Sequence, residues 1–140
     1  IIKAMYKIIG ELESLGDSGE SISRILSRRN IHNKTFDADT IKKLNAMVDT
    51  VENAYDVMIH NLETAFGGHL EEISNAYDAE DRINNLRNNL RDEEIESIEN
   101  ERKNYQTSVY YMDIVNELEK MGDFMINVSQ DLYKCKIKIS

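Results

Sequence analysis

The chain has 140 residues, a formal charge of −9, 41% hydrophobic residues and no proline, where ordinary usage would place about seven. A pI near 4.8 excludes nucleic-acid binding, which needs a basic face, and no apolar run approaches the ~18–20 residues of a membrane span. The single cysteine, Cys135, excludes an internal disulfide framework and suits a reducing compartment; the missing prolines suit long helices with short connections.

The first predicted helix carries a heptad seam at Ile1, Met5, Ile8, Leu12, Leu15, Ile22 and Leu26, with Gly19 in the vacant step. It ends near Arg28–Arg29, where basic side chains suit a helix C-terminus. Residues 30–38 are polar and irregular, with Asp37 or Asp39 as the next N-cap. The second helix runs from about Asp39 to Phe66, with a stripe of Leu44, Met47 or Val48, Val51, Tyr55, Met58, Leu62 and Phe66. Gly67–Gly68 marks a C-cap and a tight turn.

The third helix, about His69 to Ile98, has a thin stripe of Ile73, Ala76, Ala79, Ile83, Leu86 and Leu90. It is either the exposed edge of the bundle or the face that meets another domain or copy, the second being preferred. Residues 99–104 are the third connection. The fourth helix, from about Tyr105 to Lys134, has the strongest seam: Tyr111, Ile114, Leu118, Met121, Met125, Val128 and Leu132. Amphipathic helices of this length cannot bury their stripes singly, so the expected fold is all-α, an up-down-up-down four-helix bundle forming a single domain over residues 1–140. The chain opens in mid-pattern at Ile1 without a start methionine or signal peptide, and is expected to be a domain excised from a longer protein.

Helices one and four share more than a period. Glu11-Leu12-Glu13-Ser14-Leu15-Gly16-Asp17 reappears as Glu117-Leu118-Glu119-Lys120-Met121-Gly122-Asp123, 106 residues later and identical at five of seven positions. Ile8, Ile9, Ile22 and Ser23 match Ile114, Val115, Val128 and Ser129 at the same offset. Heptads alone repeat apolar positions; they do not place the same Glu, Gly and Asp between them.

At these residues the sequence resembles the PhoU family, helical regulators of bacterial phosphate uptake built from tandem three-helix repeats. Closing helices in that family carry Glu-x-x-x-Asp, often with Gly before the Asp and Asn four residues after it. Glu119, Gly122, Asp123 and Asn127 match fully; Glu13, Gly16 and Asp17 match, with Ser21 in place of the Asn. Residues 43–48 and 78–90 are similar to the opening and second helices of such a repeat. The resemblance implies one complete repeat preceded by the last helix of another, an arrangement similar to the cytoplasmic domain of bacterial sodium/phosphate cotransporters.

At about 100° per residue, Glu119 and Asn127 lie roughly 135–145° from the centre of the fourth seam, and Asp123 nearly opposite it. Helix one gives the same result for Glu13 and Asp17. These acids are therefore expected on an outer face, where an i, i+4 carboxylate pair repels mildly and suits an oxygen-bound cation. The resemblance implies a surface site for a divalent or trivalent metal ion at Glu13, Asp17, Glu119, Asp123 and Asn127, with Glu52, Asp56 and His60 as helpers. The plain alternative is a solvated acidic face. A di-iron carboxylate enzyme would need Glu-x-x-His pairs, and neither His32, His60 nor His69 has a glutamate three residues before it.

The resemblance implies a non-enzymatic regulatory domain at the cytoplasmic face of the inner membrane. Its partner would be a membrane transporter domain, in the same chain or in another protein, with a homodimer left open. The rival from another class is a structural dimerisation or signalling bundle without ligand.

Overall fold

The computed structural model describes residues 2–32, 34–100 and 104–139, with side chains through residue 135. Ile1 of the first seam, Asn33, and part of the third connection, residues 101–103, lie outside the described residues. Four helices follow in order: α1 (Ile2–Ile31), α2 (Ala38–Phe66), α3 (Ser74–Glu99) and α4 (Tyr105–Ile139).

Each connection has a local cause. Asp37, not Asp39, caps α2: its carboxylate accepts the Thr40 N–H at 2.7 Å, meeting one of the unpaired donors of the first turn. Before it, the buried Phe36 ring lies under the Arg29 guanidinium, 4.8 Å from ring centroid to Cζ, which ties the connection back onto α1. At the far end of α2, Gly68 adopts φ 77°, a conformation open to glycine at little strain. That turn lets the Gly68 and His69 N–H groups reach the carbonyls of Ala65 and Thr64.

Helix α3 starts five residues later than the sequence pattern predicts. Leu70 and Ile73 are buried in the core, so the segment after the glycines plugs the end of the bundle before the helix begins. Glu72 then accepts the Ser74 N–H at 2.8 Å, and these hydrogen bonds from Ser74 hold its carboxyl below the usual carboxylate range. Asn104 opens α4 by accepting from the N–H groups of Gln106 and Thr107.

Cross-helix pairs fix the directions. Lys7 meets Asp131 and Glu11 meets Asn127, so α1 and α4 are antiparallel. Lys43–Glu93 and Asn61–Asn75 make α2 and α3 antiparallel, and Glu94–Ser108 with Arg87–Glu119 do the same for α3 and α4. Both α2 and α4 run antiparallel to α3 and so parallel to each other, with Asn61 meeting Ser129 between them. The up-down-up-down order is present, but the helices are not the corners of a square. α2, α3 and α4 enclose one core, and α1 packs on α4 alone, approaching neither α2 nor α3 among the described residues.

That arrangement explains how the stripes are covered. The seam of α4 is buried or packed against the core throughout, and no residue from Met121 to Tyr133 is exposed. On α2, Met47 and Ala54 are buried while Val48, Tyr55 and Phe66 are exposed. The α3 stripe is fully used, its small Ala76 and Ala79 drawing the helix close to its neighbours. On α1 the covered row is turned from the expected seam: Ile8, Leu15, Ile22 and Ile25 face the core, whereas Met5, Leu12 and Leu26 stay exposed. One partner helix can cover only one side of α1.

Candidate functional site

The repeated Glu-x-x-Gly-Asp sequence falls in two different settings. On α4 it faces α3. A Cβ on Gly122 would lie 2.5 Å from Ile83 Cδ1, so the end of the Ile83 side chain fills the space that a side chain at 122 would take. One turn earlier, Glu119 pairs with the Arg87 guanidinium of α3 at 2.8 Å, both side chains mostly buried. Asp123, half-buried on the next turn, has its carboxyl pushed up, first by burial and then by Glu119 and Glu80, against a smaller downward pull from Arg87. Asn127 donates to Glu11 of α1 at 3.3 Å.

The expectation of an open outer face is therefore corrected for Glu119 and Asp123. Opposite the strongest seam of a helix lies solvent only when the helix has neighbours on one side; α4 has them on three, and α3 covers the acids. On α1 the expectation holds, with Glu13 and Asp17 exposed on the side away from α4. Gly16 between them has no atom within 4 Å of a built Cβ.

The two acidic pairs are not brought into one site. Glu52, Asp56 and His60 are exposed along α2, and among the described residues no group of three His, Cys, Asp or Glu side chains is placed to hold a metal ion. Each motif pair offers two carboxylates, and on α4 Arg87 already supplies the positive charge beside them. Hard cations take six or more oxygen ligands, so an ion at either pair would need donors from water or from another molecule.

Three buried polar groups escaped the sequence reading. Asn61 donates to Ser129 Oγ at 3.0 Å and to Asn75 Oδ1 at 3.1 Å, and accepts from Asn75 at 2.9 Å. This knot pins α2, α3 and α4 at one end. Near the other end, the Ser108 hydroxyl donates to the buried Glu94 carboxylate at 2.6 Å. There the Tyr111 phenol is pushed well above its ordinary range, by burial first and by Glu94 next. Between α1 and α4, buried Asp131 accepts from Lys7 at 3.1 Å. The available signal was spacing: Asn61 stands three residues after Met58 and Glu94 four after Leu90, positions a stripe should fill.

Residues 44–132 match the family model described as PhoU domain, well over half of the chain. No curated protein and no solved structure matches. The matched span covers most of α2, all of α3 and most of α4, the three helices that share one core.

Proposed function

The chain belongs to the PhoU domain family, and from that membership we propose that it is the regulatory domain of a sodium/phosphate cotransporter, acting by contact and not by turnover. It works at the cytoplasmic face of the inner membrane against a membrane transporter domain, in its own polypeptide or in a partner. No described helix is long and apolar enough to cross a membrane, so on this reading the transport path belongs to that other domain. The observation that carries the proposal is the doubled motif. One copy is spent on holding α3 to α4, whereas the other is turned to solvent on α1 with Glu13 and Asp17 exposed. A surface repeated from a structural one and left bare is suited to engaging something outside the domain.

A divalent or trivalent cation at Glu13 and Asp17 is part of the proposal, with further oxygen donors coming from the bound partner. The α4 pair is the weaker candidate, because Arg87 competes for Glu119. The functional test is phosphate uptake by cells carrying Glu13→Ala/Asp17→Ala in the complete protein. Changed uptake at unchanged transporter abundance supports the reading; uptake indistinguishable from wild type overturns it. Titration of the purified chain with Mn²⁺ tests the cation separately, and heat or signal that persists in Asp17→Ala removes the metal from the proposal.

A further inference from the structure

Charge is unevenly placed along this chain. Residues 1–10 and 130–140 hold five lysines and one acid, whereas the other 119 residues hold 12 bases and 25 acids. Because α1 and α4 are antiparallel, the first turns of α1 and the last turns of α4 lie side by side at one end of the bundle. Lys3, Lys7 and Lys134 are exposed there, and the one acid, Asp131, is buried and paired with Lys7 at 3.1 Å. Lys136 and Lys138 follow within α4. The α2–α3 side of the same end exposes Glu63, Glu71 and Glu72, so the basic surface is one flank and not the whole tip.

The internal repeat indicates that this flank is one a neighbouring helix leaves open. Moved by 106 residues, Lys3 and Lys7 fall on Val109 and Asp113, which stay exposed although α4 has helices on three sides. The groove along the flank gives the chemistry. It holds about 630 Å³ between the start of α1 and α4, with Lys3, Lys7 and Lys134 supplying its charge and Ile2, Ala4 and Cys135 its apolar wall. An acidic peptide matches the ammonium groups but not that wall. A phospholipid matches both, its phosphate meeting the lysines and its glycerol ester region the apolar side. An anionic bilayer repels the acidic remainder of the domain, which leaves this flank to face it.

We propose that this flank of α1 and α4 is a docking surface for an anionic phospholipid bilayer, with Lys3, Lys7 and Lys134 on the headgroup phosphates and Lys136 and Lys138 adding their charge. The contact deepens the transporter reading and takes its setting from it. Its readout is a vesicle and not a cell, so lipid binding can fail while the uptake test holds, and the reverse.

Cosedimentation of the purified chain with phospholipid vesicles tests this. The expected result is binding to phosphatidylcholine vesicles containing about one-third phosphatidylglycerol, none to phosphatidylcholine alone, and release as salt rises from about 0.05 to 0.5 M. Lys3→Glu/Lys134→Glu lowers the partition coefficient about tenfold or more with helical circular dichroism unchanged. Arg28→Glu/Lys42→Glu makes the same change in net charge at exposed positions of the opposite end, and leaves the coefficient within about threefold of wild type. A chain that stays in solution with the anionic vesicles, or binds both kinds of vesicle equally, overturns the proposal. So does an equal loss in the two double variants, which would make binding a matter of overall charge.

Discussion

Gly122 and Ile83 are in contact only because Gly122 has no side chain: a Cβ there would stand 2.5 Å from Ile83 Cδ1. Gly16, the same residue in the repeated motif, has open space around it. Alanine therefore has opposite effects at the two sites. Gly122→Ala drives the buried Ile83 side chain out of its place, an overpacking cost of about 1–3 kcal/mol that outweighs the helix-propensity gain of about 0.5–1 kcal/mol. Gly16→Ala gains helix propensity, stabilising by about 0.5–1 kcal/mol. Urea unfolding of both variants at low micromolar concentration checks the pair, and equal signs would show that the motif glycines do the same job.

Asn61 and Ser129 are the second coupled pair. Asn61→Ala leaves Asn75 and Ser129 without their buried partner and costs about 1–3 kcal/mol. Ser129→Ala removes one acceptor. In a double-mutant cycle the two losses add to less than their sum, by at least about 0.5 kcal/mol. Additive losses would mean that the amide and hydroxyl do not act as one network.

Asp123 gives the chain a pH signature. Its folded-state carboxyl is raised above the ordinary value, so the folded state binds that proton more tightly than the unfolded one. The associated stability is present below the ordinary carboxyl range and is lost as pH rises through the raised value. Asp123→Asn keeps the neutral form at every pH. Its Tm should exceed wild type at neutral pH, and the gap should narrow as pH falls into the carboxyl range. A gap that widens on acidification would reverse the sign assigned to this carboxylate. Because Asp123 is only half-buried, the effect is modest and shrinks further with salt.

Lys7 and Asp131 join α1 to the rest of the molecule. Asp131 is buried and among the described residues its Oδ2 has no hydrogen-bond donor, so its charge leans on Lys7 through Oδ1. Lys7→Met should destabilise the α1 contact by about 1–3 kcal/mol. Adding Asp131→Asn should recover part of that loss, because the uncompensated charge is gone. Hydrogen exchange of α1 amides resolves this local effect from global unfolding.

Helix count, order and the core faces of α3 and α4 were legible in the sequence because their stripes are single and complete. The face of α1 was not. A heptad tells which residues are apolar, not which side a neighbour will cover. The covered row includes Ser18, which no hydrophobic count selects, while Met5 and Leu12 belong to the uncovered row. The motif residues were legible as a repeated pattern, yet their surroundings were not. Arg87 stood visibly on α3, but only the register between α3 and α4 could place it on Glu119. The start of α3 was misplaced for a related reason: Leu70 and Ile73 continue a helical spacing, and it is their burial at the bundle end that makes them a plug.

Since α1, among the described residues, packs on α4 and approaches neither α2 nor α3, it is a detachable strut. It can lift away and return while the remaining three helices keep their core closed, so its amides should open at lower free energy than theirs. A pull or push applied to α1 from outside travels inward chiefly along the shaft of α4, and at its C-terminal end through the connection that Arg29 and Phe36 tie to α2. On that shaft Lys7, Glu11 and their partners Asp131 and Asn127 form the clutch.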